Sequence, residues 1–120
     1  MTSKLDVVGI GNAMVDAVIP TNKNEIEKHQ INRDSMNLID EDLKNSLHDQ
    51  YKIKEMVGGG SLGNSMFGIT SFGGNGSFIG KIKNDDIGIY LQKDMVREGL
   101  QFPLGFTSPD ISTGCCTIFV

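Results

Sequence analysis

No apolar run in the 120-residue sequence is long enough to span a bilayer: Asp6, Asn12 and Asp16 break the longest candidate. The opening residues Met1-Thr2-Ser3-Lys4-Leu5-Asp6 lack the apolar stretch of a secretory signal, so the cytoplasm is the expected compartment. Basic runs are also missing. The eleven Lys and Arg are scattered among fifteen Asp and Glu, and the net charge of −4 leaves no electrostatic footprint for nucleic acid or an anionic membrane. Cysteine is confined to the adjacent pair Cys115 and Cys116, whose side chains point to opposite faces of an extended strand and are poorly placed to bond each other. With no Cys-x-x-Cys spacing and no His close by, zinc has little support, and two buried thiols in a reducing compartment are expected. His29 and His48 fall on polar helical segments and are expected at the surface. No metal site is predicted.

What is present describes one ordinary globular domain, 38% apolar and 22% charged, large enough for a core but small for a two-layer enzyme. Leu5 to Gly11 reads as a buried strand ending in a glycine turn, and the apolar run continues to Ile19 before Pro20 closes it. A short helix is expected over 24–30 with Asn22 or Asn24 as cap, a short strand over 35–39, and a helix over 41–49 capped by Asp40. Strand 53–57 leads into Gly58-Gly59-Gly60-Ser61-Leu62-Gly63-Asn64 and a helix over 65–72. A strand over 77–82 follows, then a helix over 86–98 built on Ile87, Leu91 and Met95 and ended by Gly99. A brief strand at 100–102 and a β-branched strand over 114–120 complete the chain. This alternation predicts an α/β domain with a mostly parallel central sheet. The stretches at about 15–20, 35–39 and 113–120 have no crossover helix beside them and are expected to form a separate small sheet. Val120 ends the sequence inside an apolar strand, and a domain rarely ends on such an edge, so the chain reads as the N-terminal portion of something longer.

Two glycine turns carry the chemistry. Gly9-Ile10-Gly11-Asn12-Ala13-Met14 begins like a dinucleotide fingerprint, but Met14 replaces the third glycine and the β-branched run to Ile19 is a poor helix. A nicotinamide or flavin oxidoreductase is therefore the weaker alternative. The turn at Gly58 to Ser65 lacks the Gly-Lys-Ser/Thr of a P-loop. Taken together, the turns suggest a polyol. Asp16 accepts hydrogen bonds, Asn12 both donates and accepts, and that pair suits vicinal hydroxyls of a sugar or ribose. The backbone at Gly59 and Gly60 and the Asn64 amide add short-range donors. Spacing alone does not separate this from the plainer alternative, a turn residue at Asn12 and a cap carboxylate at Asp16.

Five segments in order resemble the N-terminal part of the ribokinase-like (PfkB) carbohydrate kinases, nearest the adenosine-kinase-like branch: Gly9 to Asp16, Ser35 to Asp40, Gly59 to Asn64, Gly80 to Gly88, and Ser112 to Cys116. The resemblance covers nearly the whole chain. It implies an α/β core with a small β-sheet lid over the sugar site, the lid strands being those at about 15–20, 35–39 and 113–120, and a homodimer through the lid. It implies ATP- and Mg2+-dependent phosphoryl transfer to a hydroxymethyl group of a sugar or nucleoside. Asn12 and Asp16 would hold sugar hydroxyls, and Gly59, Gly60 and Asn64 would complete the pocket. Two departures stand out: Leu62 and Gly63 occupy positions where the family commonly has small alanines. The family's Gly-Ala-Gly-Asp anion hole, with the catalytic base and the ATP site, belongs to the C-terminal half, and no Gly-x-Gly-Asp occurs here. No catalytic residue is therefore expected in this chain, which alone would be inactive. A non-catalytic fragment that binds a polyol or a partner is the alternative.

Overall fold

The computed structural model describes residues 4–120. In chain order its elements are β1 (Val7–Ile10), β2 (Met14–Ile19), α1 (Lys23–Lys28), α2 (Glu41–Gln50), β3 (Glu55–Gly59), α3 (Ser61–Ser71), β4 (Gly76–Ile79), β5 (Ile82–Lys83), α4 (Asp86–Arg97), β6 (Phe106–Ser108) and β7 (Gly114–Phe119). They fall into two compact units: residues up to Asp16 with Val57–Cys116, and Ala17–Met56 with Thr117–Val120. β2, β3 and β7 belong to both and pair in the order β3-β2-β7. The architecture is mixed α/β, as the alternation of patterns predicts. No helix among the described residues is long and apolar enough to cross a membrane.

The larger unit is built on parallel crossovers. β1 pairs in parallel with β4, Val7 opposite Gly76 through Ile10 opposite Ile79, and α3 lies between them in sequence. α4 then leads to Gln101, which bridges Ser77 in parallel, so the expected strand at 100–102 is reduced to one bridge. The expected strand over 77–82 divides into β4 and β5, and β5 pairs with β6, which sequence patterning did not reveal. α4 forms as the four-residue spacing dictates: Leu91 and Met95 are buried, and the Asp85 carboxylate accepts the Gly88 N–H at 2.7 Å as N-cap. Gly99, at φ +88°, ends it in the left-handed conformation that glycine tolerates. Asp85 also accepts from the backbone N–H of Thr113 at 3.0 Å and its hydroxyl at 2.8 Å, tying the start of α4 to the segment that enters β7. The core here gathers Val15, Met66, Phe78, Ile82, Leu91, Met95 and Leu100. The reading of β1 as a buried strand does not hold, since Val8 is 51% and Ile10 76% exposed. β4 is its one strand partner among the described residues, and Gly9 alone is covered, by Leu62 and Met66 of α3.

In the smaller unit, Asn22 and Asp40 cap α1 and α2, accepting the N–H groups of Glu25 (3.1 Å) and Leu43 (2.8 Å). Residues 35–39 form no strand. The Asn37 side chain accepts the Asn32 N–H and donates to the Asn32 and Ser35 carbonyls, closing a loop over 32–37 that takes up the Ser35 carbonyl of the expected strand. Met36 (84% exposed) and Leu38 (91%) consequently face solvent. Both histidines depart from the expected surface role, being half-buried and bonded. His29 Nε2 lies 2.8 Å from the Tyr51 hydroxyl, which itself donates to Glu25 at 2.8 Å. His48 Nε2 lies 2.8 Å from the Thr117 hydroxyl, and burial pushes its pKa below the usual value, with Lys44 adding to the shift. The Tyr51 ring also stands edge-on to Phe119, with centroids 5.6 Å apart.

Candidate functional site

The glycine turn ends β3 and starts α3. Gly60, at φ +80°, is the N-cap of α3, a conformation that costs glycine little and other residues more. α3 starts at Ser61, four residues earlier than the sequence pattern suggests, because Gly63 and Gly68 blur the apolar period that marks a helix. No side chain caps this end, so the first-turn N–H groups of Ser61, Leu62 and Gly63 remain as donors without intrahelical acceptors. The Asn64 N–H already bonds the Gly60 carbonyl at 2.9 Å, while its side chain is exposed one turn along the helix.

Asp16 lies in β2, within the strand expected at about 15–20, and its carboxylate rests directly on Gly59. A Cβ at Gly59 would stand 2.5 Å from Oδ2, 2.6 Å from Cγ and 2.7 Å from Oδ1. Glycine is required there by close approach, not by backbone angle. Gly60 sits beside the segment joining β1 to β2, with the Asn12 carbonyl oxygen 3.7 Å and the Met14 Cβ 3.5 Å from where its own Cβ would be. Asn12, Asp16, Gly59 and Gly60 are thus brought to one place from two distant stretches of sequence, with the start of α3 alongside.

Leu62 packs on the first glycine turn, where a Cβ at Gly11 would come within 2.6 Å of its Cδ2 and one at Gly9 within 3.1 Å of its Cδ1. Gly63, the other departure, is buried with no atom within 4 Å of a Cβ position outside its own helix backbone. The dinucleotide reading fails on the element that follows Gly9-Ile10-Gly11, since Met14–Ile19 is a strand where a phosphate-binding helix is needed.

Two neighbours of the site escaped sequence reading. Cys116 is exposed and Cys115 half-buried, in contrast to the two buried thiols expected, because β7 is an outer strand of its sheet. The packing around Cys116 pushes its thiol pKa up, and the charge of Asp16 pushes it further. Asp94, in α4, is 6% exposed, accepts the Gly58 N–H at 3.1 Å and pairs with Arg97. The available signal was a carboxylate three residues after Leu91, on the apolar face of the helix. Among the described residues no group of three or more His, Cys, Asp or Glu side chains is placed to hold a metal ion.

No protein-family model matches the chain, and no curated protein does. Solved structures do. An adenosine kinase from Sinorhizobium meliloti is similar at a TM-score of 0.80 and 31% identity, over 98% of this chain and 36% of that one. A probable sugar kinase from Rhizobium etli CFN 42 is similar at 0.80 and 28% identity, over 99% and 36%. An adenosine kinase from Schistosoma mansoni in complex with adenosine shares the fold at a TM-score of 0.78 and 21% identity, over 98% and 36%. The chain therefore spans about a third of the length of the kinases it matches.

Proposed function

We propose that this chain, whose fold is similar over nearly its whole length to about a third of an adenosine kinase and of a probable sugar kinase, carries the acceptor-binding portion of an ATP-dependent sugar or nucleoside kinase, with adenosine the first substrate to test. The observation that carries this reading is the Asp16 carboxylate laid over Gly59 beside Gly60 and Asn12. A carboxylate with free lone pairs accepts from both members of a vicinal diol, and the Asn12 amide supplies a donor and an acceptor of its own. Glycine at 59 and 60 lets the diol approach the backbone closely. The donor N–H groups at the start of α3, with the Asn64 side chain one turn further, complete a polar rim.

The work of these residues is to bind and orient. Holding an acceptor hydroxyl in line for transfer is worth about 7–11 kcal/mol of barrier in well-aligned cases. The other parts of phosphoryl transfer are a base on the acceptor, donors around the γ-phosphate and a metal. The sequence contains no Gly-x-Gly-Asp, and among the described residues no group of three or more His, Cys, Asp or Glu side chains is placed to hold a metal ion. No step of the transfer is assigned to this chain.

Calorimetric titration with adenosine, ribose and fructose, beside an ATP-consumption assay, tests the proposal on the intact protein and on the 120-residue chain. The intact protein is expected to phosphorylate one of them, and the chain alone to bind without turnover. Unchanged affinity for every one of them after Asp16→Ala would refute the pocket.

A further inference from the structure

We propose that Asp94 is a positioning residue: its carboxylate tethers Gly58 and thereby sets the Gly59–Gly60 backbone on which Asp16 lies. The inference rests on the pocket reading above. Gly58 is in β3, the outer strand in the order β3-β2-β7, and its N–H is bonded by Asp94 Oδ2 at 3.1 Å. A strand N–H on an outer edge otherwise takes water or stays unpaired. The same glycine is closed on by the ring of Phe67, with a Cβ at Gly58 falling 2.8 Å from Cε2 and Cζ and 2.9 Å from Asp94 Oδ2. The end of β3 is therefore clamped between a ring of α3 and a carboxylate of α4. The Gly58 N–H belongs to the planar peptide joining Val57 to Gly58, so the bond to Asp94 fixes that plane and with it the position of the Gly58 Cα from which Gly59 continues. Gly59 is where the Asp16 carboxylate rests.

Stability alone is a poor reason for this carboxylate. Asp94 is 6% exposed beside Leu91 and Met95, and an apolar side chain of similar size suits such a place as well or better than a buried ion pair. What an apolar residue cannot do is accept the Gly58 N–H along one direction. Arg97, with 66% of its side chain exposed, pairs with Asp94 and orients the carboxylate. Arg97–Asp94–Gly58–Gly59–Asp16 thus forms one line of contacts from the surface to the proposed diol site.

The test compares Asp94→Ala and Asp94→Asn in the intact protein, with adenosine affinity by calorimetry and amide exchange at Gly58, Gly59 and Gly60, well below the melting temperature of each variant. Asn keeps an acceptor for the Gly58 N–H, Ala does not. Asp94→Ala is expected to weaken adenosine about tenfold and to speed exchange at Gly58, and Asp94→Asn to restore both to within about threefold. Native affinity in a folded Asp94→Ala protein overturns the inference, as does equal loss in both variants. Asp94→Leu, which refills the space, serves the same comparison where Asp94→Ala does not fold. If the unaltered protein binds none of adenosine, ribose or fructose, the pocket reading has failed instead. The tether is then decided by exchange at Gly58, where unchanged protection in Asp94→Ala overturns it.

Discussion

Two glycines four residues apart should respond to alanine in opposite ways. At Gly59 the new methyl carbon would lie 2.5–2.7 Å from all three atoms of the Asp16 carboxylate. Relaxed contacts of this kind are about 3.5 Å, so the carboxylate must retreat by roughly 1 Å. Asp16 is half-buried and its side chain can swing, so the fold is expected to survive at a cost of about 1–3 kcal/mol. Ligand binding has no such freedom. A hydrogen bond of about 2.8 Å stretched by 1 Å is no longer one, and a bond to a charged group is worth about 1.5–3 kcal/mol. Gly59→Ala should therefore weaken binding of the proposed sugar or nucleoside ligand about 10–100-fold by calorimetry. At Gly63 nothing lies within 4 Å of the added carbon outside the helix's own backbone. Gly63→Ala should stabilise α3 by about 0.5–1 kcal/mol, raising the melting temperature by roughly 2–6 °C, with affinity unchanged. Native affinity in Gly59→Ala, or a lowered melting temperature in Gly63→Ala, would refute the geometry from which both are reasoned.

His48 makes stability depend on pH. Its folded pKa lies below the usual 6.5, first because it is buried and then because Lys44 is near, so the unfolded chain takes up the proton first as pH falls. The melting temperature should be highest above that pH and decline below it, and His48→Gln should flatten this decline; identical profiles would exclude His48 as the cause. Asp85→Ala removes the cap of α4 and both Thr113 bonds and should cost about 2–4 kcal/mol in urea unfolding, with Asp85→Asn retaining part of that. Cys116 should react slowly with iodoacetamide, its rate rising only at pH above the ordinary thiol range; Asp16→Asn should shift that rise to lower pH, and an unmoved profile would mean the two are not neighbours.

How far the sequence could be read follows the range of the forces involved. Asn22 and Asp40 are legible as caps because each bonds a backbone N–H three residues on, whatever lies elsewhere. The buried stripe at Leu91 and Met95 is legible for the same reason, since a helix fixes which residues share a face. The strand expected at 35–39 was not legible as a loop. Its residues alternate suitably, but Asn37 takes the backbone bonds of Asn32 and Ser35. Exposure of Cys116 and bonding of His48 to Thr117, 69 residues away, depend on partners that no local pattern names.

By itself, then, the sequence determined the two glycine turns, the polar residues set in them and the α/β alternation, since these follow from backbone freedom and side-chain periodicity within a few residues. Only the tertiary structure decided that Asp16 lies on Gly59, that Asn12 stands beside Gly60, and that Asp94 reaches back 36 residues to Gly58. Those contacts come from strand pairing and helix packing, which join residues by shape and hydrogen bonding across distances that sequence spacing does not encode.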